Sequence, residues 1–452
     1  MTGDLTKGSC LKQILWFTLP LLAGNLLQQT YNLVDAAIVG RCLGTEALAS
    51  VGASSSVQFL VIGFCLGTCA GFGVPIAQQF GAKNYREMRS FIYQSVLLTA
   101  CFAVVLTAAC ALLCPQILRL LSTPEDIFTG AYQYLLVIFL GIPFTLLYNL
   151  QAAMLRAVGD SKTPFLFLAV STVCNIFLDL FCILVLRWGV SGAALATISS
   201  QAFSGILCFF YIMKRSEILH ISRADAKFDG GRCRAALFMA APMGLQFSIT
   251  AIGSMVMQAA NNGLGSVYVS GFTAGARLKQ FTLCPFDALA TAVCNFCGQN
   301  VGAKRFDRVR EGMRKGLLLA TVYGVMIGLV LIFGGRTLSM LFVDGSKTAV
   351  LDAAARYLRC LGSCYWMLGF LNIFRMTTQG LGYAGRAVIA GGIEMLARIM
   401  VSLVFVPIYG FAAICWADQA AWATAVLYLM PLCLYLMRRM EREIMMKTDE
   451  IS

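Results

Sequence analysis

Charge is scarce in this chain. Only 13% of its 452 residues are Asp, Glu, Lys or Arg, whereas 59% are hydrophobic and the mean hydropathy is +0.76. A water-soluble protein of this length needs a mostly polar or charged surface, so the composition excludes that class. The short alternating segments of a membrane β-barrel are also missing. Apolar runs of about 20 residues recur instead, and each is long enough to cross a bilayer as a helix.

Histidine is nearly absent, since His220 is the only one. Zinc sites with Cys and His ligands, and Ser-His or Cys-His nucleophilic pairs in the membrane, therefore lack a necessary residue. An intramembrane aspartyl protease remains conceivable from two membrane aspartates, but neither lies in a Gly-rich context. The 18 cysteines mostly lie in apolar runs, where Cys packs as a small hydrophobe. We expect no enzymatic activity, no cofactor and no disulfide framework.

The hydropathy pattern predicts an all-α integral membrane protein with twelve transmembrane helices. Prolines inside several apolar runs are typical of kinked membrane helices. The predicted spans are residues 13–38, 50–78, 91–114, 128–152, 164–186, 190–213, 237–260, 267–299, 316–334, 355–378, 388–406 and 411–437.

Basic residues are unevenly distributed between the loops. The net charge of +13 would suit a nucleic-acid partner, but most Lys and Arg residues lie in short loops between apolar runs. This pattern orients membrane proteins, and it predicts that both termini are cytoplasmic. We therefore expect the protein to lie in the lipid bilayer as a monomer and to have no nucleic-acid partner.

A repeat divides the chain into two halves. Gln78-x-x-Gly81-Ala82-Lys83 recurs in the second half as Gln299-x-x-Gly302-Ala303-Lys304. At the same separation along the chain, the second half also repeats Leu43-Gly44, Arg89 and Gly189. Because each half has six spans, both halves enter the membrane from the same side, which makes the repeat parallel and typical of transporters. The predicted organisation is an N-lobe at 1–213, a cytoplasmic connecting loop at 214–236 and a C-lobe at 237–452.

The first span contains a carboxylate, Asp35, within an apolar run. An acid in a membrane helix costs about 2.5–3.5 kcal/mol on insertion scales and is usually retained for function. At a rise of about 1.5 Å per residue, four more polar residues lie at a similar depth, roughly 5–15 Å below the outer face: Tyr134, Asn175, Asp179 and Thr197. Each alone could simply bridge helices. Together they suit a proton, or a sodium ion at Asp35 and Asp179.

Several motifs match one known family. They are Pro20; Gln28 with Tyr31-Asn32-Leu33-Val34-Asp35 and Val39-Gly40; Arg156-Ala157-x-Gly159-Asp160-Ser161-x-x-Pro164; Asn175 with Asp179; Gly189-x-x-Gly192-Ala193-Ala194-x-Ala196-Thr197; and Gln299-Asn300-x-Gly302-Ala303. On these residues the chain resembles the multidrug and toxic compound extrusion (MATE) transporters, and most closely the bacterial DinF-like type. The resemblance covers essentially all twelve spans.

The resemblance implies two six-helix lobes around a central cavity in the bacterial plasma (inner) membrane. It also implies export of organic cations, drugs and other amphipathic compounds by alternating access, driven by protons or sodium ions. In DinF-like relatives the first-lobe carboxylates couple transport to the ion, a role that passes here to Asp35 and Asp179. Pro20 matches the proline at which the family's first helix bends. NorM-type relatives have a glutamate in span 7. Span 7 of this chain has no acid, so the first-lobe carboxylates are the stronger candidates for ion coupling.

The second half also has charges within its predicted spans. Glu394 and Arg398 are four residues apart, which predicts an intrahelical salt bridge with Arg375 as a third member. Asp418 is the repeat equivalent of Thr197. Two roles are open for it: binding an ion or the substrate, or pairing with a neighbouring charge.

Other polar residues are candidates for pairing or for the substrate cavity. Asp287 is expected to pair with Arg277 or Lys279 on the same span. The candidates for lining the substrate cavity are Gln28, Asn149, Gln246, Gln258, Glu394 and Asp418.

Two other transport functions remain as alternatives. A flippase of the same superfamily, moving lipid-linked oligosaccharides, often has more central Arg and Lys, whereas here only Arg277 and Lys279 lie in mid-span. A passive channel would show flux without ion coupling, but the two-lobe repeat favours alternating access. The sequence leaves the choice between proton and sodium, and the identity of the substrate, open.

Overall fold

The protein is helical throughout the described part of the chain. The computed structural model describes residues 3–120, 123–222 and 225–449, and the regular structure in these ranges is all helix. Two π-helical turns, Phe181–Val185 and Val401–Phe405, follow α6 and α13. The α-helices are α1 (Cys10–Cys42), α2 (Thr45–Gly81), α3 (Tyr85–Leu120), α4 (Glu125–Leu140), α5 (Ile142–Ala157), α6 (Lys162–Leu180), α7 (Gly189–Arg215), α8 (Gly230–Asn262), α9 (Ser266–Gly302), α10 (Phe306–Ser339), α11 (Thr348–Ser363), α12 (Tyr365–Gly380), α13 (Ala384–Met400), α14 (Val406–Tyr409) and α15 (Phe411–Asp449).

The helices account for the twelve predicted spans. Within the described ranges, ten continuous helical segments are long and apolar enough to cross a membrane. An eleventh span consists of α4 and α5, which meet with a bend of 46°. The predicted span 355–378 corresponds to α11 and α12, which meet at Cys364 and carry three arginines that lower their hydropathy. The fold class predicted from the sequence is confirmed.

Long apolar side chains cover the exterior of the spans. On α3, Val104, Val105, Leu112 and Leu113 each expose at least 52% of their surface. A continuous apolar face of this length is unfavourable in water. It is stable in the hydrocarbon of a bilayer, because a helix satisfies its own backbone hydrogen bonds there.

The two halves of the chain repeat the same order of elements. Both α2 and α9 have 37 residues, and each ends in the repeated Gly-Ala-Lys motif. The left-handed backbone recurs in the turn after each helix, with φ of 57° at Lys83 and 56° at Lys304. Each half also has one π-helical turn, and each has a short break between two helices, at Gly141 and at Cys364. The repeat in the sequence motifs is therefore present in the backbone.

The break between α4 and α5 has a local cause. A Cβ at Gly141 would lie 2.4 Å from Ile198 Cγ1 of α7, so a side chain is excluded there. Pro143 lies in the first turn of α5, where its missing N–H costs nothing. The close approach also packs α4 against α7, because Tyr134, Ile138 and Ala194 share one buried cluster.

The contacts divide the chain into two compact units. The first lobe comprises residues up to Asp4 together with Ala23–Ser248, and the second lobe comprises Leu5–Leu22 together with Ile249–Ser452. The divisions fall inside α1 and α8, so each of these helices contributes one part to each lobe.

Glycines allow close helix packing inside the first lobe. A Cβ at Gly67 of α2 would lie 2.3 Å from the carbonyl oxygen of Met243, and one at Gly71 would lie 2.5 Å from Cα of Ala240. Gly67 and Gly71 form a GxxxG pattern, which lets membrane helices approach backbone to backbone. The first part of α8 is therefore held tightly against α2.

An aromatic cluster fills the core of the second lobe. The Phe286 ring packs edge-on against Tyr323 and Tyr365, with centroid distances of 5.0 and 5.4 Å. Tyr365 in turn lies 5.9 Å from Trp422 of α15. Such pairs add about 0.5–1.5 kcal/mol each beyond the burial of their area. These contacts join α9, α10, α12 and α15 into one core.

Candidate functional site

The five residues predicted to bind the coupling ion lie together in the first lobe. Asp35 comes from α1, Tyr134 from α4, Asn175 and Asp179 from α6, and Thr197 from α7. The carboxyl groups of Asp35 and Asp179 lie within hydrogen-bonding distance of each other. With its amide oriented to satisfy both neighbours, Asn175 Nδ2 donates to Asp179 Oδ2 at 2.9 Å, and its oxygen accepts from Thr197 N at 3.2 Å.

The two aspartates have unused capacity to bind a cation. Oδ1 of Asp35 and Oδ1 of Asp179 are both buried, and neither has a hydrogen-bond partner in the described part of the chain. No Lys or Arg forms an ion pair with either carboxyl group within the described residues. Two carboxyl groups hydrogen-bond only when at least one is protonated. The pair can therefore hold a shared proton or offer its oxygens to a monovalent metal ion.

The two carboxyl groups differ in burial. Asp179 is fully buried, as are Asn175 and Tyr134, which expose 3% or less. Asp35 is half-buried. By exposed surface, Asp179 and its neighbours therefore form the more deeply buried part of the site and Asp35 the less buried part.

Two members of this cluster are not identified by the sequence reasoning. The Tyr31 hydroxyl lies 3.1 Å from the Thr197 hydroxyl, and the Gln58 side chain lies close to the Tyr134 hydroxyl. Tyr31 is one helical turn before Asp35, so the i, i+4 rule is a signal that could have found it. Gln58 has no comparable signal, because its role depends on how α2 packs against α4. The first-lobe site is hereafter Tyr31, Asp35, Gln58, Tyr134, Asn175, Asp179 and Thr197.

The predicted cavity glutamines and asparagine lie outside the first-lobe site. Gln28 is exposed on α1, and Gln246 is buried on α8. Asn149 and Gln258 each donate a 2.8 Å hydrogen bond within their own helix. Their role in a substrate cavity stays a prediction. The bend expected at Pro20 also stays a prediction, since α1 is one continuous helix through that residue.

The second lobe contains a buried cluster of ion pairs. Glu394 pairs with Arg375 and also, at 3.6 Å, with Arg398. Asp418 accepts from Arg398 Nε at 3.1 Å and from Lys279 Nζ at 2.5 Å. The predicted Glu394–Arg398 bridge with Arg375 as a third member is therefore confirmed. Asp418, the other candidate acid of this half, is fully engaged by two cations.

Two aromatic residues complete this cluster. The Tyr357 hydroxyl donates to Asp418 Oδ2 at 3.1 Å, and the Lys279 ammonium lies 5.7 Å from the ring centroid of Trp422. The second-lobe cluster is hereafter Lys279, Tyr357, Arg375, Glu394, Arg398, Asp418 and Trp422.

The partner of Lys279 differs from the sequence expectation. Lys279 pairs with Asp418 and not with Asp287. Lys279 and Asp287 are more than two helical turns apart, which separates them by about 12 Å along one helix. Asp287 interacts electrostatically instead with Arg375, which lies on a different helix, α12.

Comparison with known sequences agrees with this architecture. The MatE family model matches residues 20–181 and 242–404, one segment in each half of the chain. The probable multidrug resistance protein YpnP of Bacillus subtilis is 32% identical over 366 residues, which cover 81% of each chain. The FAD transporter of Shewanella oneidensis is 26% identical over 369 residues, which cover 80% of each chain.

Comparison with solved structures supports the same fold. The outward-facing conformation of a multidrug resistance MATE family transporter of the MOP superfamily matches with a TM-score of 0.91 at 20% identity, covering 97% of this chain and 98% of that one. Because the family model spans both repeats and the Bacillus relative is similar over most of its length, the protein belongs to the MATE family of multidrug efflux transporters.

Proposed function

We propose that this transporter is an antiporter that couples uptake of H⁺ or Na⁺ to export of organic cations, drugs and other amphipathic compounds. The observation that carries the proposal is the Asp35–Asp179 pair. Its two carboxyl groups lie side by side with no cationic partner in the described part of the chain, and each has one buried oxygen without a hydrogen bond. A pair of this kind in low dielectric is unstable when both groups are ionised, so it favours binding of a cation.

Cation binding at this pair acts on the packing of α1. Asp35 is on α1, which also contacts α7 through the 3.1 Å interaction of Tyr31 with Thr197. Neutralising the pair removes the repulsion between α1 and α6 and shifts the balance between two arrangements of the first lobe. We propose that this shift expels the substrate outward and that the cation then leaves toward the cytoplasm. The membrane potential contributes about 2.3 kcal/mol per charge per 100 mV to such a cycle.

We also propose a bacterial plasma (inner) membrane location, a monomer, and cytoplasmic termini. The Lys- and Arg-rich loop at 214–236 supports this orientation through the positive-inside rule. The bacterial source of the relatives supports the location.

The alternative is a flippase or an exporter of anionic cargo. The Shewanella relative is an FAD transporter, and FAD has two phosphates. An anion site needs buried cations that are available to the ligand. In the second-lobe cluster, Lys279, Arg375 and Arg398 each pair with a carboxylate. This pairing favours the cationic substrate class.

The experiment is a drug-resistance assay in an efflux-deficient bacterium. Wild-type protein should raise resistance to cationic dyes, and so should Asp126→Asn, which removes an exposed acid at the start of α4. Asp35→Asn and Asp179→Asn should fail to protect at equal expression. Full protection by both variants would contradict the proposal. Rescue of a cell-wall synthesis defect without drug resistance would indicate the flippase.

A further inference from the structure

The segment before α1 is held by buried side chains of the second lobe. Residues 5–9 precede α1 and belong to the same compact unit as α9 and α10. The Leu5 N–H donates to Gln299 Oε1 at 2.9 Å, and Asn300 Nδ2 donates to the Leu5 carbonyl oxygen at 3.2 Å. Gln299 and Asn300 are each 0% exposed. Residues 5–9, hereafter the N-terminal strap, thus pair backbone groups with side chains of the repeated motif.

One guanidinium holds the rest of the strap. Arg308, the third residue of α10, is buried and donates from Nη1 to the Gly8 carbonyl oxygen at 2.7 Å and from Nη2 to that of Leu5 at 3.1 Å. Its Nε donates to Asn300 Oδ1 at 3.0 Å. No carboxylate pairs with Arg308 within the described ranges. The planar fork of an arginine suits several acceptors at once, and its charge strengthens each hydrogen bond.

The same contacts continue into the first turn of α1. Arg308 Nη2 also donates to Gln13 Oε1 at 3.0 Å, and the Cys10 thiol donates to Glu311 Oε2 at 3.2 Å. Between them and the strap, Gly8 has φ of 77°, a left-handed conformation that favours glycine. The strap and the start of α1 are therefore held as one piece against the start of α10.

The first half has a polar contact at the equivalent place. Glu87 is the third residue of α3, and it is separated from Arg308 by the distance along the chain that relates Gln78 to Gln299. Its carboxylate accepts from Arg232 Nη2 at 2.7 Å, in the first turn of α8. Since α1 and α8 are the two helices that divide between the lobes, both divided helices are held at their starts. The α8 contact is a half-buried ion pair, whereas the α1 contact is buried and uses backbone oxygens.

We propose that Arg308 is a positioning residue for transport, which holds the strap and the start of α1 to the second lobe while the first-lobe part of α1 responds to the cation. The later part of α1, which contains Asp35, belongs to the first lobe. A rigid helix transmits a shift at one end only when its other end is held. This inference rests on the proposed function, because it takes Asp35 as part of the coupling site.

A positioning role and a purely stabilising role differ in what they change. If Arg308 only stabilised the fold, its loss would lower the amount of folded protein and leave export per folded molecule unchanged. If Arg308 positions α1, its loss lowers the maximal export rate per folded molecule. The dye and cation concentrations for half-maximal export should then stay the same, because Arg308 is not a member of the first-lobe site.

The first measurement follows release of the strap in purified full-length protein, independently of transport. Cys10 is 1% exposed, so a maleimide should label it slowly in the wild type. In Arg308→Gln we expect labelling of Cys10 to be about tenfold faster or more, since losing one bond from a charged donor changes an opening equilibrium by that factor. Mass spectrometry reads the label, and Cys42, exposed at the end of α1, is the internal reference.

The second measurement is gradient-driven export of a cationic dye by the same proteins in liposomes. The maximal rate of Arg308→Gln per folded molecule should fall about tenfold, with both half-maximal concentrations unchanged. Arg305→Gln is the matched control, because Arg305 is an exposed residue three positions earlier that pairs with Asp307. It should behave as the wild type in both measurements.

The outcomes separate the two claims. Absence of gradient-driven export by the wild type would overturn the proposed function, and the transport role of Arg308 with it, even if the strap is released in the variant. Continued protection of Cys10 in Arg308→Gln, or its release with a wild-type export rate, would overturn the inference alone. If Arg308→Gln does not fold, Gly8→Ala replaces it, because a side chain strains the turn at Gly8 without a close contact. Gly8→Ala should release Cys10 and slow export, and wild-type behaviour in either measurement would overturn the inference.

Discussion

The first-lobe site shows what single residues reveal before a structure is known. Asp35 and Asp179 follow from the cost of a membrane carboxylate and from counting residues along each span, because helical rise and orientation fix depth. Tyr31 and Gln58 do not follow from depth alone. Their contacts with Thr197 and Tyr134 depend on which helices are neighbours.

The Tyr31–Thr197 contact gives a prediction at this scale. Tyr31→Phe and Thr197→Val should each weaken cation affinity about threefold to tenfold, since a buried hydrogen bond contributes about 0.5–1.5 kcal/mol. The double variant should lose little more than the worse single variant, because both changes remove one interaction. The measurement is the cation concentration for half-maximal export.

Tyr148→Phe is the matched control for these Tyr31 and Thr197 variants. Its hydroxyl donates to the Pro164 carbonyl oxygen at 2.8 Å, in the same lobe but outside the first-lobe site. Cation affinity should stay at the wild-type value. Additive losses in the Tyr31–Thr197 double variant would show that the two hydroxyls do not act together.

Single helices and their breaks form the next scale. Hydropathy predicts all the spans, and Pro143 inside the fourth of them predicts a kink there. The exact position of the break, at Gly141, does not follow from an apolar run of about 20 residues. At this break Gly141 has no side chain and so accommodates Ile198 of α7, a tertiary contact that hydropathy does not show. Hydropathy does not show the break at Cys364 either, and the arginines on α11 and α12 further lower the hydropathy of that span.

The packing of α8 on α2 gives a prediction for helices. Gly67→Ala places a Cβ 2.3 Å from the Met243 carbonyl oxygen, so one backbone must move. Overpacking of this kind costs about 1–3 kcal/mol, and the unfolding temperature in detergent should fall. Gly52→Ala on the same helix has no atom within 4 Å of its Cβ and should leave that temperature unchanged or slightly raised. Equal stability of the two variants would contradict the close packing.

The repeat organises the whole molecule. The constant spacing of the repeated motifs predicts it from the sequence, and the positive φ values at Lys83 and Lys304 reproduce it in the backbone. The sequence does not predict that the lobes divide inside α1 and α8. Hydrophobic pattern shows that a helix is buried, but not which neighbours bury each half.

Orientation gives the prediction for the whole chain. If the positive-inside rule holds, a fluorescent protein fused after Arg215 stays in the cytoplasm and is fluorescent. Alkaline phosphatase fused after Arg187, between α6 and α7, should be exported and active. The reverse pattern of the two reporters would invert the proposed topology and the direction of coupling.

The central claim is that the Asp35–Asp179 pair couples a cation to export. The most direct measurement is transport of a cationic dye by purified protein in liposomes, with a pH gradient and a sodium gradient imposed separately. We predict that one of these gradients drives dye movement by the wild-type protein and that neither does so for the Asp35→Asn/Asp179→Asn variant in matched vesicles. Transport by the double variant at the wild-type rate under the same gradient would contradict the account.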